Sequence, residues 1–276
     1  MSIDLLTRED LPSARGSVWQ YISPSRLNCW LACPLKFKGR YIDGIRSPTT
    51  PALFLGKILH GCLENFYRHR QLGIALDAAD LNRRLLQSWG ESMDEEHIQF
   101  DTPAEEQILQ RQAGDLIRAY LGHVTADEPR PLAVEAAVEM PLINPLSGED
   151  FGIPLLGVMD LVLDGQAGPV IIDFKSSSRS SERLEIVHEI QLTSYALLFR
   201  HVSDRQEAGL EIHSLIKTKT PKIEFHSYPR RSEAHFRRLF SIIQEYLDAL
   251  ERNRFPFRPG FGCAMCEFRD GLCRIS

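Results

Sequence analysis

Residues 157–175, GVMDLVLDGQAGPVIIDFK, contain two apolar runs that each carry an acidic residue. Short apolar runs bounded by turn-forming residues are typical of buried strands. Segment 164–168 between the runs is rich in turn formers and indicates the loop of a hairpin. Because a hairpin places its strands side by side, we expect Asp160 and Asp173 to meet at one site.

Similar patterns predict the elements on either side of this hairpin. Apolar residues at helical spacing predict helices, and partial alternation predicts strands. The predicted helices cover residues 26–33, 53–70, 81–89, 105–121, 184–201 and 232–253, and the predicted strands cover residues 133–142, 155–163, 169–174, 211–218 and 223–228. Helices, three strands, a helix, two strands and a helix in this order predict an α/β fold, in which a central mixed β-sheet is flanked by helices.

The chain of 276 residues is long enough for one large core, and we expect a single domain over residues 1–276. Within it we predict a helical N-terminal part with an insertion at 21–130, a core at 131–230 and a Cys-rich tail at 254–276. No apolar run approaches the roughly 18 residues of a membrane span. Residues 1–15 carry three acidic residues and no apolar stretch, unlike a signal peptide. We therefore expect a cytoplasmic protein with no membrane partner.

The net charge of −5 argues mildly against nucleic acid as a partner, but the charge is unevenly distributed. Residues 75–130 hold twelve acidic and five basic residues, whereas residues 215–239 hold seven basic and two acidic residues. A phosphate-binding face needs only local positive charge. A solvated surface with scattered lysines is the more common explanation of such a patch, so the patch alone predicts no partner.

Asp173, Phe174 and Lys175 form a D-x-K sequence at the end of the predicted central strand. Period-two geometry puts the acid and the lysine on one face, where burial is costly unless they face a metal, each other or a substrate. A second carboxylate from Asp160 would repel the first unless a cation lay between them. Oxygen ligands suit Mg²⁺ or Mn²⁺, which can polarise a phosphodiester and lower the pKa of a bound water. An exposed D-x-K at a strand end is common and is weak evidence alone.

Two predicted helices supply further candidates. His60 lies one turn after Gly56, whose missing side chain leaves room beside it, although a lone helical histidine is more often a satisfied polar residue than a ligand. Gln191 and Tyr195 share a helix face because they are four residues apart. This pair could contact bases or phosphates or support Lys175, and a polar helix edge is the simpler explanation of the pair alone.

Together these sequences resemble the motif series of the RecB-like branch of the PD-(D/E)XK nucleases. The motifs occur in order as G-x-x-x-H at 56–60, G-x-x-D at 157–160, D-x-K at 173–175 and Q-x-x-x-Y at 191–195. Each motif is weak alone, but four in sequence are fairly specific, and the resemblance spans residues 21–273. It implies a restriction-endonuclease-like core. The implied metal ligands are His60, Asp160, Asp173 and the Phe174 carbonyl, and the implied catalytic residues are Lys175, Asp173, Asp160, Gln191 and Tyr195.

A further acidic position of this family is a Val-Glu element that often precedes G-x-x-D. Glu135 matches it in this sequence. Glu139 is near and alternates onto the same strand face, so the two glutamates remain alternatives.

Six cysteines are clustered in a way that favours metal binding over disulfides in a chain that is not secreted. The C-terminal spacing C-x2-C-x6-C resembles the triplet of the iron–sulfur members of the same branch, which include CRISPR-associated exonucleases and AddB-type repair nucleases. The ligands implied for a [4Fe-4S] cluster are Cys33, Cys263, Cys266 and Cys273. Cys29, one helical turn from Cys33, competes for its place. Four thiolates bind either an iron–sulfur cluster or Zn²⁺, and spacing does not choose between them; Cys62 is predicted to be ordinary core.

The resemblance implies a DNA nuclease that depends on Mn²⁺ or Mg²⁺ and acts as an exonuclease on single-stranded or frayed DNA ends. The compact form is most similar to the CRISPR-associated exonuclease that trims DNA before spacer integration, although repair and phage exonucleases share every motif. CRISPR integration proteins or a helicase are the expected partners. Two alternatives remain open, namely a DNA-binding or scaffolding module without turnover, and a zinc-stapled enzyme with another substrate.

Overall fold

The computed structural model describes residues 17–96, 98–180 and 184–275. The expectation about a signal peptide concerns residues 1–15, which lie outside the described residues. The α-helices are α1 (Pro24–Ala32), α2 (Pro34–Phe37), α3 (Pro51–Gln71), α4 (Ala78–Glu96), α5 (Pro103–Leu121), α6 (Leu184–Ser203), α7 (Glu233–Glu251) and α8 (Leu272–Ile275). A π-helical turn covers Lys38–Ile42 and a 3-10 turn covers Phe261–Met265. The strands are β1 (Pro131–Ile143), β2 (Asp150–Gly165), β3 (Gly168–Ser177), β4 (Gly209–Ile216) and β5 (Lys222–Pro229).

The strands form a mixed sheet in the order β1-β2-β3-β4-β5. The β1–β2, β2–β3 and β4–β5 pairs are antiparallel, whereas β3 and β4 are parallel. A parallel pair needs a crossover connection, which α6 provides. The apolar run in β3 follows from this position, since Ile171 and Ile172 point to opposite faces and are both buried.

Helices cover both faces of the sheet. On one face, α3, α4 and α5 pack against it through a core that includes Phe54, Trp89 and Tyr120. On the other face, α1, α6 and α7 pack through a core that includes Leu198 and Tyr246. The site described below lies at the edge of this sandwich, where α3 crosses the hairpin of β2 and β3.

The helix that carries His60 has a well-defined start. Thr50 precedes α3, and its side-chain oxygen accepts a hydrogen bond from the backbone N–H of Leu53 at 3.3 Å. Pro51 occupies the first helical position, where the missing N–H costs nothing and the fixed φ suits a helix. This cap fixes where the helix begins and therefore which residues face the sheet.

The predicted α/β fold with a mixed sheet is confirmed, and the differences are mainly at element ends. The predicted helix at 26–33 ends at Ala32, and Pro34 starts a second short helix instead of only stopping the first. Strands β1 and β2 are longer than predicted, because they pair with each other out to Ile143 and Asp150. Among the described residues, no helix is both long and apolar enough to cross a membrane.

The C-terminal tail returns to the N-terminal helices. Phe268 in the tail is buried, and it lies against Gly39, where an added Cβ would be 3.1 Å from the Phe268 ring and 2.8 Å from Leu272. Glu267 forms ion pairs with Lys36 and Arg40. The tail is therefore docked by apolar and ionic contacts.

Candidate active site

The candidate site begins where the ladder between β2 and β3 ends. The last paired residues are Leu161 and Ile172, so Asp160 and Asp173 occupy the next positions on the two strands. The backbone N–H of Phe174 donates to Asp160 Oδ2 at 2.7 Å. The hairpin thus brings the two acids together at its open end, where Asp173 is 1% exposed and Asp160 is 9% exposed.

Strand β1 adds a third carboxylate. Its register pairs Ala136 with Met159, which sets Glu135 directly opposite Asp160. Glu135 has a φ of 46°, a left-handed conformation that is uncommon outside glycine and indicates local strain. Like charges directly opposite each other are destabilising unless a cation lies between them. The alternative, Glu139, is exposed on the same strand, so the fold brings Glu135 to the acids and leaves Glu139 away from them.

Helix α3 brings an imidazole to these carboxylates. His60 Nδ1 is 3.7 Å from Asp160 Oδ2. One ligand atom from each of His60, Glu135 and Asp160 lies within 4.8 Å of the other two. An imidazole nitrogen with carboxylate oxygens is a donor set that fits Mn²⁺ or Mg²⁺. These three residues therefore form a candidate metal group, with Asp173 beside it.

The glycine of the G-x-x-x-H sequence acts differently from our expectation. A Cβ on Gly56 would lie 3.0 Å from Ser176 Oγ. The room that the glycine leaves is thus taken by the end of β3 rather than by His60. Because Gly56 has no side chain, α3 can approach the strand that carries the D-x-K sequence.

Asp173, Lys175, Gln191 and Tyr195 form one connected set of polar contacts. Lys175 Nζ lies 2.5 Å from Asp173 Oδ2. Gln191 Nε2 donates to Asp173 Oδ1 at 2.9 Å and to the Tyr195 hydroxyl at 2.7 Å. Tyr195 is buried, so the pair on α6 faces the interior of the site and not a polar helix edge. The contacts fix the Asp173 carboxylate, while the Lys175 side chain keeps 27% exposure.

Burial dominates the electrostatics of these residues. It raises the pKa of Asp160 and of Asp173 to about 6, although the Lys175 ammonium opposes both shifts. Burial and the charge of Lys175 lower the pKa of His60, and Asp173 and a hydrogen bond to the Phe174 backbone offset this in part. A neutral imidazole can offer a nitrogen to a cation, and a cation would favour the charged forms of the two carboxylates.

Gly157, the glycine of G-x-x-D, is needed for helix packing. A Cβ at this position would lie 2.5 Å from Leu198 Cδ1 and 3.5 Å from the Tyr195 ring. Because Gly157 has no Cβ, α6 can approach β2 closely, and this approach places Gln191 beside Asp173.

A cavity of about 1010 Å³ opens over the candidate metal group and is called the active-site cavity below. It lies between α1, α3, α4 and the sheet, and His60, Glu135 and Asp160 line it. Its volume is at the upper end of the range of roughly 300–1,000 Å³ typical of ligand pockets. The candidate metal group is therefore accessible to a substrate.

One histidine near the site was missed in the sequence analysis. His188 lies on α6 one turn before Gln191, and burial together with the charge of Lys175 lowers its pKa to about 4. The three-residue spacing from Gln191 was the available signal, since residues three apart share a helix face.

The basic segment 215–239 does not form one phosphate-binding face. Arg231 is 2% exposed and pairs with Glu185 at 2.9 Å, and Arg238 pairs with Glu189 at 2.6 Å. Lys217 differs, because it lines a cavity beside His60. Lys222 also pairs with a carboxylate, that of Glu224, so three of the seven basic residues of this segment are in ion pairs.

The cysteines at the two ends of the chain meet at one cavity of about 320 Å³, called the cysteine cavity below. Its lining includes Cys33, Cys263, Cys266 and Cys273. Cys33 Sγ accepts a hydrogen bond from the Arg258 backbone N–H at 3.4 Å, and Cys263 Sγ lies 3.9 Å from the Arg258 carbonyl. Cys29 lines the active-site cavity instead, and Cys62 is buried in the core.

The sequence profile of the PD-(D/E)XK nuclease superfamily matches residues 21–274, so the chain belongs to this superfamily. The fold above is accordingly restriction-endonuclease-like, and the superfamily consists of nucleases that use divalent metals. No curated protein matches the chain.

Two solved structures are similar to this chain to different degrees. The structure of a "putative exonuclease" from Eubacterium rectale is similar with a TM-score of 0.60 and 14% identity, covering 96% of this chain and 92% of that chain. A second structure, that of SSO0001, has 16% identity and covers 86% of this chain and 93% of that chain, but its TM-score is 0.37. At these identities the first likeness shows the fold alone, and the second carries no argument.

Proposed function

We propose that this protein is a divalent-metal-dependent deoxyribonuclease of the RecB-like branch, which acts as an exonuclease on single-stranded or frayed DNA ends. The observation that supports this most is the candidate metal group of His60, Glu135 and Asp160, which lies beside the ion pair of Asp173 and Lys175. Membership of the nuclease superfamily makes DNA the expected substrate.

The residues present fit a hard divalent cation. His60, Glu135 and Asp160 would hold it, with Asp173 and the Phe174 carbonyl beside them. Burial raises the pKa of Asp160 and of Asp173, and a bound cation would favour their charged forms. When bound, Mn²⁺ or Mg²⁺ polarises the scissile phosphodiester and lowers the pKa of a water ligand.

The other side chains of the site keep one another in position and supply positive charge. Gln191 holds Asp173 Oδ1, and Asp173 in turn holds the Lys175 ammonium. The Lys175 side chain keeps 27% exposure, so its charge is available to a phosphate oxygen, whose negative charge grows during displacement. Tyr195 accepts a hydrogen bond from Gln191 and keeps that amide in place.

Cleavage of 5′- or 3′-labelled single-stranded DNA in Mn²⁺ or Mg²⁺ tests the proposal. We expect the wild type to release products with a 5′-phosphate, and Asp173→Ala and Lys175→Ala to lose at least about a hundredfold in rate. Lys219→Ala, at an exposed lysine, is the matched control. A wild type that binds DNA without ever cutting it, and that the two substitutions leave unchanged, would instead be a DNA-binding or scaffolding module.

A [4Fe-4S] cluster on Cys33, Cys263, Cys266 and Cys273 forms the second part of the proposal. The shared cysteine cavity supports this ligand set, because Cys29 lines a different cavity. Visible absorption with iron and sulfide analysis of anaerobically purified protein tests it. We expect Cys266→Ser to be colourless and less soluble, and Cys29→Ser to keep the colour. Zinc in place of iron, or a coloured and fully folded Cys266→Ser protein, contradicts the assignment.

The proposed pathway is DNA trimming before CRISPR spacer integration, and it rests on the compact form of the resembled enzymes. Repair and phage recombination exonucleases share the same motifs. Neighbouring genes for CRISPR integration proteins would support this pathway, whereas recombination or phage genes would replace it.

A further inference from the structure

A second cavity adjoins the candidate metal group. It has a volume of about 950 Å³ and is bounded by the start of α3, the middle of α5 and the end of β3. His60 and Lys57 line both this cavity and the active-site cavity. A linear substrate that crosses the metal group can therefore extend from one cavity into the other.

The two cavities differ in charge. In the lining of the active-site cavity, five acidic side chains, which include Glu64, Glu91 and Glu95, outnumber the three basic side chains of Lys36, Arg40 and Lys57. In the second cavity, Lys57 and Lys217 outnumber the one acidic side chain of the lining, that of Glu105. Negatively charged phosphates are therefore better accommodated in the second cavity once they leave the metal group.

Lys217 is a cation without a carboxylate partner among the described residues. Its Nζ lies 3.4 Å from the Ala52 carbonyl, and burial lowers the pKa of the lysine. By contrast, Lys57 pairs with Glu96. A half-buried ammonium that has lost water without gaining a counter-charge gains more from a phosphate than a fully solvated one would.

Apolar side chains line the same cavity. Leu53 is 67% exposed at the first turn of α3, and Leu55 and Leu109 also line the cavity. A cation beside an apolar surface is complementary to a nucleotide, which carries a phosphate and an apolar base face. Inside a duplex, stacking covers the base faces, and both faces of a base become available to a protein when the base is unpaired and unstacked.

We propose that the second cavity binds an unpaired nucleotide next to the scissile phosphate, with Lys217 contacting a neighbouring phosphate and Leu53 contacting the base. The inference rests on the proposed nuclease function and adds a specificity to it. A duplex end must fray before a base can reach Leu53, so the cavity selects single-stranded DNA at this position.

Binding of a fluorescently labelled oligothymidine in EDTA tests the subsite without cleavage. We expect Lys217→Ala to weaken binding about five- to tenfold and to reduce the slope of log K against log[salt] by about 0.7, the value for one phosphate contact on a single strand. Lys219→Ala, at an exposed lysine two residues away, is expected to bind within about twofold of the wild type.

Two leucine variants test the apolar contact with the base. Leu53 and Leu72 are 67% and 72% exposed near the two ends of α3. We expect Leu53→Glu to weaken oligothymidine binding by about tenfold and Leu72→Glu to leave it unchanged. Because both leucines are exposed, neither change should affect folding, which thermal unfolding checks.

Equal binding by Lys217→Ala and Lys219→Ala, or no binding by the wild type, would overturn the subsite. A cleavage assay with Mn²⁺ separates this outcome from failure of the proposed function. If the wild type cuts DNA and the Lys217→Ala protein has an unchanged KM, the result supports the nuclease function and contradicts the subsite. If the predicted binding pattern occurs but neither the wild type nor any variant cuts DNA, the result supports the subsite and contradicts the nuclease function.

Discussion

At the scale of single residues, the burial of two carboxylates dominates the electrostatics of the candidate site, and the Lys175 ammonium only partly offsets it. Asp160 and Asp173 both titrate near pH 6 because burial disfavours their charged forms. Strain in the backbone of Glu135 adds to this cost. Sites that bind a cation commonly carry such local instability, since the ligands are arranged for the bound state.

The metal-free protein is expected to gain stability when Asp173 loses its charge. The folded pKa of about 6 exceeds the ordinary 3.8, so the stabilising contribution is fully present below about pH 4 and is lost as pH rises through 6. Asp173→Asn should therefore be more stable than the wild type at pH 7.5, by at most about 3 kcal/mol. Urea unfolding at pH 5 and pH 7.5 measures this, with the exposed Asp115→Asn as background. A difference that does not grow with pH would contradict it.

Mn²⁺ is expected to stabilise the protein more at pH 7.5 than at pH 5. Its ligands must be deprotonated, and Asp160 and Asp173 bind protons below about pH 6. Each proton displaced lowers the apparent affinity about tenfold per pH unit in this range. Thermal unfolding with and without Mn²⁺ checks this, and Asp160→Asn should remove most of the shift. A metal-induced shift that is equal at both pH values would argue for ligands other than these acids.

The sequence predicted most candidate residues but left two choices open that only the folded chain resolves. Glu135 and Glu139 are equivalent under period-two alternation, and the left-handed backbone of Glu135 has no signature in the sequence. Cys29 and Cys33 are one helical turn apart, and the docking of the tail puts Cys33 alone of these two in the cysteine cavity.

At the scale of elements, two glycines let helices approach the sheet closely. The side chain of Ser176 packs against Gly56, and the side chain of Leu198 packs against Gly157. Each glycine is the first residue of a motif whose last residue is a candidate metal ligand. The close packing of helix on sheet therefore occurs within one turn or a few residues of that ligand. The positions of His60 and Asp160 relative to each other depend on these contacts.

Gly157→Ala is expected to destabilise the protein by about 1–3 kcal/mol. The added Cβ would be 2.5 Å from Leu198 Cδ1, so α6 or β2 must shift. Gly90→Ala is the matched control, because no atom lies within 4 Å of its Cβ position and alanine is the better helix former by about 0.8 kcal/mol. Urea unfolding measures both, and partial rescue of Gly157→Ala by Leu198→Val would locate the clash. Equal stability of the two glycine variants would rule the packing argument out.

The strands of the hairpin were predictable because their apolar runs and turn residues are local signals. The longer ends of β1 and β2 were not, since residues 143 and 150 gain strand structure only by pairing with each other. The role of Gly56 was also misjudged, because the strand end that fills its space is more than a hundred positions away in sequence.

At the scale of the whole molecule, the chain ends are joined at the cysteine cavity. Arg258 and Cys33 are 225 positions apart and are in hydrogen-bond contact. Lys36 and Arg40 add ion pairs with Glu267 across the same junction. The tail carries little buried apolar surface besides Phe268, so the proposed cluster would add substantially to the stability that these contacts supply.

Loss of a cluster ligand is therefore expected to cost more than loss of an ion pair. Glu267→Ala should lower the free energy of unfolding by less than about 1 kcal/mol, because surface ion pairs contribute little. Cys273→Ser should lower it by several times as much, since it removes a clip between distant segments. Anaerobic urea unfolding compares the two, with Cys62→Ala reporting the cost of a core thiol alone. A Cys273→Ser protein as stable as Glu267→Ala would mean that no cluster holds the tail.

Metal-dependent cleavage by two glutamate variants of one strand tests the central claim most directly. Glu135→Gln and Glu139→Gln make the same chemical change four residues apart on β1, beside the candidate metal group and away from it. We predict that Glu135→Gln raises the Mn²⁺ concentration needed for half-maximal cleavage of single-stranded DNA at least tenfold, whereas Glu139→Gln matches the wild type. Identical Mn²⁺ dependence in both variants and the wild type would contradict the metal site.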